Sequence, residues 1–175
     1  MLHSSKSIQS LQVLSILIGL TLPEELTNWD KDSLTKEKIK QNYRDAWTKP
    51  PVWDNDKWYV NYVAHPYSGS IYYNSLRSQG ESKHNSFLYS TLQSVIYEYL
   101  VEASMERPSI QDLLTTSPLG SLFGEWSHRK TLKLGKGGFT KSEKWLTLLI
   151  NPAYVINNKF KPTDNLKWKE RVERK

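Results

Sequence analysis

The chain has 175 residues, which fits one domain, and its hydrophobic content is a modest 38 %. It contains no cysteine, which excludes disulfides and thiolate metal sites, while seven Trp and ten Tyr provide large packing surfaces. The formal net charge of +6 is uneven, because basic side chains outnumber acidic ones only from Arg129 onward. This basic region predicts contact with an anionic partner, lipid or nucleic acid, or else simple solvation.

The first predicted element is an apolar segment over residues 11–22, preceded by Lys6. It is too short to span a bilayer, which takes about 20 apolar residues, and it has no small-x-small cleavage site before Pro23. Its apolar residues recur at helical spacing, so we predict a buried helix that ends near Pro23. We expect any export signal of the natural protein to lie outside this sequence.

A polar helix and an aromatic loop follow. We predict the helix over residues 34–46, with Ser33 as its N-cap. The loop covers residues 47–58 and is broken by two consecutive prolines. Its acidic turn at 54–56 lacks the rest of a calcium-loop pattern, so we interpret it as a solvated turn.

Two helices are predicted over residues 58–78 and 86–105. The first is interrupted at Pro66, which lacks an N–H donor, and Gly80 is its C-terminal stop. The second is one continuous helix, and Pro108 ends it. Its predicted core face consists of large apolar residues at helical spacing together with one alanine: Phe87, Leu88, Leu92, Val95, Ile96, Tyr99, Leu100 and Ala103.

Helical signals continue after this point. Residues 109–112 have the form of a capping box that opens a helix, and the Ser-Pro pair at 117–118 restarts the chain. Gly120 and Gly124 share one helical face, which predicts close approach of a neighbouring backbone.

The remaining segments complete the predicted fold. Residues 134–139 form a glycine loop without the Gly-Lys-Ser/Thr ending of a phosphate loop. A capping box at 140–143 opens a short helix that reaches Ile150. From residue 157 the chain is polar, basic and predicted to be loosely ordered. The fold is therefore predicted to be all-α, a compact multi-helix bundle with long aromatic loops, with one helical domain over 1–156 and a basic tail over 157–175.

A group of carboxylates and one histidine form the candidate catalytic site. Glu98, Glu102 and Glu106 follow one another at i, i+4 and i+8, so they form a stripe along one helix face. Buried carboxylates need a cation, hydrogen-bond donors or a proton, and His65 is the natural partner. Three interpretations stay open: a structural His–Glu hydrogen bond that locks two helices, a site in which His65 acts as base or ligand, or an exposed His65 without such a contact.

Four further residues are candidate ligand-binding groups. Arg77 and Arg107 each lie near a helix end, where they can neutralise the carboxylates or meet an anionic ligand. Asn61 precedes His65 by one turn, and Asp112 can join the cluster, although its capping position also explains it. No Ser-His-Asp order, zinc signature or nucleotide fingerprint is present, so we assign no metal and no cofactor.

Several short sequence pieces spread over most of the chain form a recognisable pattern, namely 23–24, 28–29, 51–54, 61–69, 72–73, 77, 97–98, 102, 108–112 and 118–125. Through these pieces the sequence resembles a bacterial family, domain of unknown function 3943. The resemblance implies an exported protein of the Gram-negative cell envelope, in the periplasm or associated with the outer membrane. It implies no activity.

A weaker resemblance connects the chain to the VanZ-like membrane proteins. Its basis is the order of a histidine early in one helix, glutamates on the next, then an aspartate and a Gly-x-x-x-Gly. The helices of this chain are too polar to span a bilayer singly, so the likeness implies a shared helical layout only.

Three functions compete on these observations. The first is an envelope-associated protein that binds or packs against lipid, anionic lipid in particular, or another envelope component. The second is a hydrolase-like enzyme, with His65 as general base and Glu98 or Glu102 as its orienting partner. The third is binding of nucleic acid by the tail, which has only Trp168 as an aromatic reading surface and is the least favoured.

Overall fold

The structure is a computed structural model that describes residues 35–53 and 55–166. Within these ranges it is all-α, without strands, which confirms the predicted fold class. The α-helices are α1 (Lys36–Thr48), α2 (His65–Arg77), α3 (Lys83–Ile96), α4 (Ile110–Leu134), α5 (Lys141–Ile150) and α6 (Pro152–Asn158). The predicted helix at 11–22 and the end of the basic tail lie outside the described residues.

Helix α1 begins two residues later than predicted. Thr35 is its N-cap, and the Thr35 hydroxyl accepts a hydrogen bond from the Lys38 N–H at 3.2 Å. Ser33, the predicted cap, lies outside the described residues. The buried Asn42 amide fastens α1 to the rest of the fold by donating to the carbonyls of Ser104 and Met105.

The predicted interruption at Pro66 is a change of helical pitch rather than a break. The chain is helical from residue 58 to residue 77, with a π-helical turn at Val60–Ala64 directly before α2. In this turn the His65 N–H bonds the Val60 carbonyl, five residues back. A wider turn accommodates the proline, whose ring would collide with a carbonyl in a regular α-helix. Gly80 follows the end of α2 with φ 90°, which confirms the predicted stop.

Helices α2 and α4 are in backbone contact, as the glycine spacing predicted. A Cβ atom on Gly120 would lie 2.7 Å from the Gly69 backbone, and a Cβ on Gly69 would lie 1.7 Å from the Thr116 carbonyl oxygen. A Cβ on Gly124 would lie 2.8 Å from the Tyr73 ring. Only glycine fits at these crossing points.

The predicted core face of the clearest helix is wrong. The side chains that α3 buries are small or polar, namely Ser86, Ser90, Gln93 and Ser94. Leu92 is 54 % exposed and Val95 is 40 % exposed, and Phe87, Leu88 and Leu100 are exposed as well. Of the predicted core face only Ala103 is fully buried, whereas Ile96 and Tyr99 are half-buried. Helix α3 also approaches α2 closely. At this contact the small side chain of Ser90 donates its hydroxyl to the Gly69 carbonyl at 3.0 Å.

The predicted continuous helix over 86–105 is helical from residue 86 to residue 104 but changes pitch twice. The α-helical part ends at Ile96, a π-helical turn covers Tyr97–Val101, and a 3-10 turn covers Glu102–Ser104. The predicted restart at 117–118 is also wrong, because α4 continues through Pro118. Pro118 is exposed, so water can bond the carbonyl that its missing N–H leaves without a donor.

The C-terminal helices are held by capping groups. Thr140 and Glu143 form the predicted capping box at the start of α5. Beyond α6 the chain returns to the end of α4, where the Thr163 hydroxyl donates to the Leu132 carbonyl at 2.9 Å and Leu166 is buried. The predicted boundary at residue 156 stays a prediction. No helix in the described ranges has the length and apolar character needed to cross a membrane.

Candidate functional site

His65 is held by two residues of α4. Its Nδ1 lies 3.2 Å from the Thr116 hydroxyl, and its Nε2 lies 3.5 Å from Asp112 Oδ1. Asp112 is in the first turn of α4, where its own N–H bonds the Ser109 hydroxyl, the N-cap. Helix α2 crosses α4 at Gly69 and Gly120. His65 lies one turn before Gly69 and Asp112 lies two turns before Gly120, so the crossing places the imidazole beside the carboxylate.

The glutamate stripe meets His65 from the other side. Glu98 lies in the second π-helical turn and is 1 % exposed. Its Oε2 accepts the Ser109 N–H at 3.0 Å, and its carboxyl group also hydrogen-bonds to Glu102. One atom each of His65, Glu98 and Asp112 lies within 4.8 Å of the others. The structure therefore brings three predicted site residues together with Glu102 beside them.

The interior strongly disfavours negative charge on this cluster. Burial raises the pKa of Glu98 to about 8, and the neighbouring Asp112 and Glu106 oppose ionisation further, although the Ser109 N–H favours it. Burial, followed by the charge of Glu98, holds the pKa of Glu102 well above its usual range. These carboxyl groups cannot all be ionised unless a positive charge joins them.

The two arginines are placed elsewhere. Arg77 donates to Glu125 Oε2 at 2.9 Å and to the Glu81 carbonyl, and the guanidinium of Arg107 contacts the Pro50 carbonyl. Neither contact reaches the carboxyl groups near His65. Asn61 is buried in the π-helical turn that precedes His65.

A second polar cluster surrounds Glu125, and sequence analysis missed it. Glu125 accepts hydrogen bonds from Tyr73, Arg77 and Arg129, and Lys83 lies 3.6 Å away. Although burial alone raises the pKa of Glu125, these donors lower it to about 2. The one available sequence signal was the pair Glu125 and Arg129, four residues apart on α4.

Thr116 was missed as well. It follows Asp112 by four residues, so both side chains are on the face of α4 that meets α2, and this spacing could have identified it. Since Thr116 and Asp112 face the two ring nitrogens of His65, neither nitrogen is directed toward open solvent, where a substrate would approach. We therefore do not propose general-base catalysis by His65.

A cavity of about 240 Å³ opens near one end of this cluster. Its lining consists of Tyr43, Tyr97, Leu100, Val101, Glu102, Ser104 and Met105. Glu102 is thus the member of the candidate site that borders this cavity, within the part of the chain that the structure describes.

Comparison with known proteins assigns the chain to a family. No curated protein and no solved structure matches it, and a likeness to the VanZ-like proteins is not shown. The profile of a family described as domain of unknown function (DUF3943) matches residues 50–153, which include the helices α2 to α5 and all of the candidate site residues. On this match, over more than half of its length, the chain belongs to the DUF3943 family.

Proposed function

We propose that this helical bundle binds a lipid membrane, with its outward apolar faces against acyl chains and its basic end at anionic headgroups. The observation that carries the proposal is the reversed placement of side chains. Serine, threonine and glycine line the helix contacts, and large apolar residues face outward on α3, α4 and α5. Helix bundles surrounded by lipid are built in this way, because small residues allow close packing and lipid solvates the apolar exterior.

Helix α4 shows the expected change from apolar to basic along its length. Leu114, Leu122 and Trp126 are 60 %, 71 % and 52 % exposed. The next exposed side chains are basic, namely Arg129, Lys130 and Lys133. From Leu114 to Trp126 the helix rises about 18 Å. Tryptophan followed by lysine is typical of the boundary between acyl chains and headgroups.

In helix α5 the exposed residues change in the opposite direction, from basic to apolar along the chain. Lys141 and Lys144 are exposed at its start, followed by Trp145 at 73 % and Leu149 at 66 % exposure. The loop from Gly135 to Thr140 joins the basic end of α4 to the basic start of α5. The lysines of both helices therefore gather at one end, which fits an anionic surface, and this charge pattern favours a membrane over a second copy of the chain.

Vesicle sedimentation tests the proposal with two double variants, one on the apolar faces and one at the basic end. The full chain should bind phosphatidylglycerol-containing vesicles, and the double variant Leu122→Gln/Leu149→Gln should bind at least about tenfold more weakly, because burying a leucine stabilises by about 1.5–3 kcal/mol. Lys133→Gln/Lys136→Gln should weaken binding by a similar factor, since each lysine near an anionic surface contributes about 1 kcal/mol.

Lys36→Gln/Lys38→Gln on α1 is the matched control, because it removes the same charge from another helix and should change binding little. Failure of the wild type to bind vesicles would overturn the proposal. If light scattering then showed a dimer that the double leucine variant dissociates, a second copy would be the occupant of these faces.

A further inference from the structure

Three helical segments bring together an imidazole and two carboxyl groups in the protein interior. The ligand atoms of His65, Glu98 and Asp112 lie within 4.8 Å of one another. Two atoms bound to one ion at about 2.1 Å are roughly 3.4 Å apart in a tetrahedral site. The 3.5 Å between His65 Nε2 and Asp112 Oδ1 matches this separation and is longer than an ordinary N–H···O hydrogen bond.

We propose that His65, Glu98 and Asp112 bind a divalent transition-metal ion, Zn²⁺ or Mn²⁺. This proposal does not depend on membrane binding. Sequence analysis assigned no metal, because the three ligands are far apart in the chain and follow no known motif. The crossing of α2 and α4 and the second π-helical turn bring them to one place.

Glu102 provides an independent observation that points to a cation. It is 6 % exposed, and its Oε2 has no hydrogen-bond partner among the described residues. Its carboxyl group contacts that of Glu98 through a hydrogen bond. A buried carboxyl oxygen without a donor destabilises the fold, and a positive ion held by Glu98 would offset that cost.

The proposed ligands are already oriented by neighbouring groups. The Thr116 hydroxyl lies at His65 Nδ1, so Nε2 faces Asp112. The Ser109 N–H bonds one oxygen of Glu98 at 3.0 Å. Metal-binding histidines and carboxylates are held in place by such outer hydrogen bonds, which fix the histidine tautomer and the carboxylate direction.

The donor set indicates the class of ion. Ca²⁺ and Mg²⁺ prefer oxygen ligands alone, whereas an imidazole nitrogen suits transition metals. Two carboxylates beside one imidazole are compatible with Zn²⁺ and Mn²⁺. With no cysteine in the chain, ions that require thiolate ligands are excluded.

Calorimetric titration of the chelator-treated full chain with ZnCl₂ and MnCl₂ tests the site. We expect one ion per chain and a higher melting temperature, because the ion binds only the folded state. His65→Gln and Asp112→Asn should each weaken binding at least about tenfold. His128→Gln and Glu125→Gln are matched controls, since they alter a buried histidine and a partly buried carboxylate outside the site, and they should leave affinity within about twofold.

Lack of saturable uptake of both ions by the wild type would overturn the proposal, as would unchanged affinity in His65→Gln. Circular dichroism establishes that each variant is folded. X-ray absorption of the zinc-loaded wild type decides the question without any variant. Light-atom neighbours at about 2.0–2.1 Å together with the outer-shell scattering of one imidazole ring support the site, and a spectrum without imidazole scattering contradicts it.

Discussion

His128 shows how a single residue can set the acid stability of this fold. It is 1 % exposed on α4. Burial is the main cause that lowers its pKa to about 4. The positive charges of Arg77 and Arg129 contribute to this lowering, and Glu125 acts in the opposite direction. The native state therefore holds a neutral imidazole over a pH range in which the unfolded chain holds a charged one.

We predict that the contribution of His128 to stability falls as the pH decreases from about 6.5 to 4. In this interval the unfolded chain takes up a proton that native His128 does not accept, so unfolding becomes more favourable. The full loss is about 3 kcal/mol, from 1.36 kcal/mol for each pKa unit. Urea unfolding of the wild type and of His128→Gln at several pH values measures this loss. The difference in unfolding free energy between the two proteins should level off below pH 4. A difference that does not depend on pH would contradict a lowered pKa of His128.

Helix α3 shows what sequence can and cannot predict about an element. The 3.6-residue period predicts correctly that a helix covers this segment, because periodicity reports which side chains share a face. It does not show which face packs against other helices and which face is exposed. Leucine was expected inside because a domain is usually surrounded by water, whereas the side chains that α3 buries are three serines and Gln93.

The reversed face of α3 can be tested by exchanging residue types. Leu92→Gln should change the free energy of unfolding by less than about 0.5 kcal/mol, because Leu92 is already exposed. Ser90→Leu should destabilise by about 3 kcal/mol, because it overpacks the contact with Gly69 and removes a buried hydrogen bond. Chemical unfolding in the absence of lipid measures the free energy of unfolding of both variants. A larger cost for Leu92→Gln than for Ser90→Leu would show that the leucine face is the core.

The candidate site shows the same limit. The glutamate spacing and His65 pointed to a shared cluster from sequence alone. Asp112 was predicted only as a residue that can join the cluster, because helix capping explains its local pattern more simply. Its approach to His65 depends on how two helices cross, which is a long-range property that no local spacing contains.

At the scale of the whole molecule, charge is separated from apolar surface. After Trp126 the chain has 13 basic and only four acidic residues, whereas acidic residues outnumber basic ones before it. This uneven charge distribution orients the molecule, because its basic end is attracted to an anionic surface.

Vesicle binding by the full chain should therefore depend on salt. We expect affinity for anionic vesicles to fall as NaCl rises from about 50 to 500 mM, because the screening length shortens from above 10 Å to below 5 Å. A residual affinity should remain, supplied by the apolar faces. Fluorescence titration at several salt concentrations measures this. Equal binding to neutral vesicles at high salt would remove the electrostatic role, and tighter binding to duplex DNA would favour the nucleic-acid alternative.

The two π-helical turns also determine how this chain should be aligned with its relatives. A π-helical turn is one extra residue accommodated within an α-helix, so it rotates everything on one side by about 100° relative to the other. A helical wheel drawn straight through Val60–Ala64 or Tyr97–Val101 assigns the wrong face to half of its residues. A relative that lacks the extra residue would show a one-residue gap in either turn, and that gap would mark a chain in which His65 or Glu98 no longer points to the shared cluster.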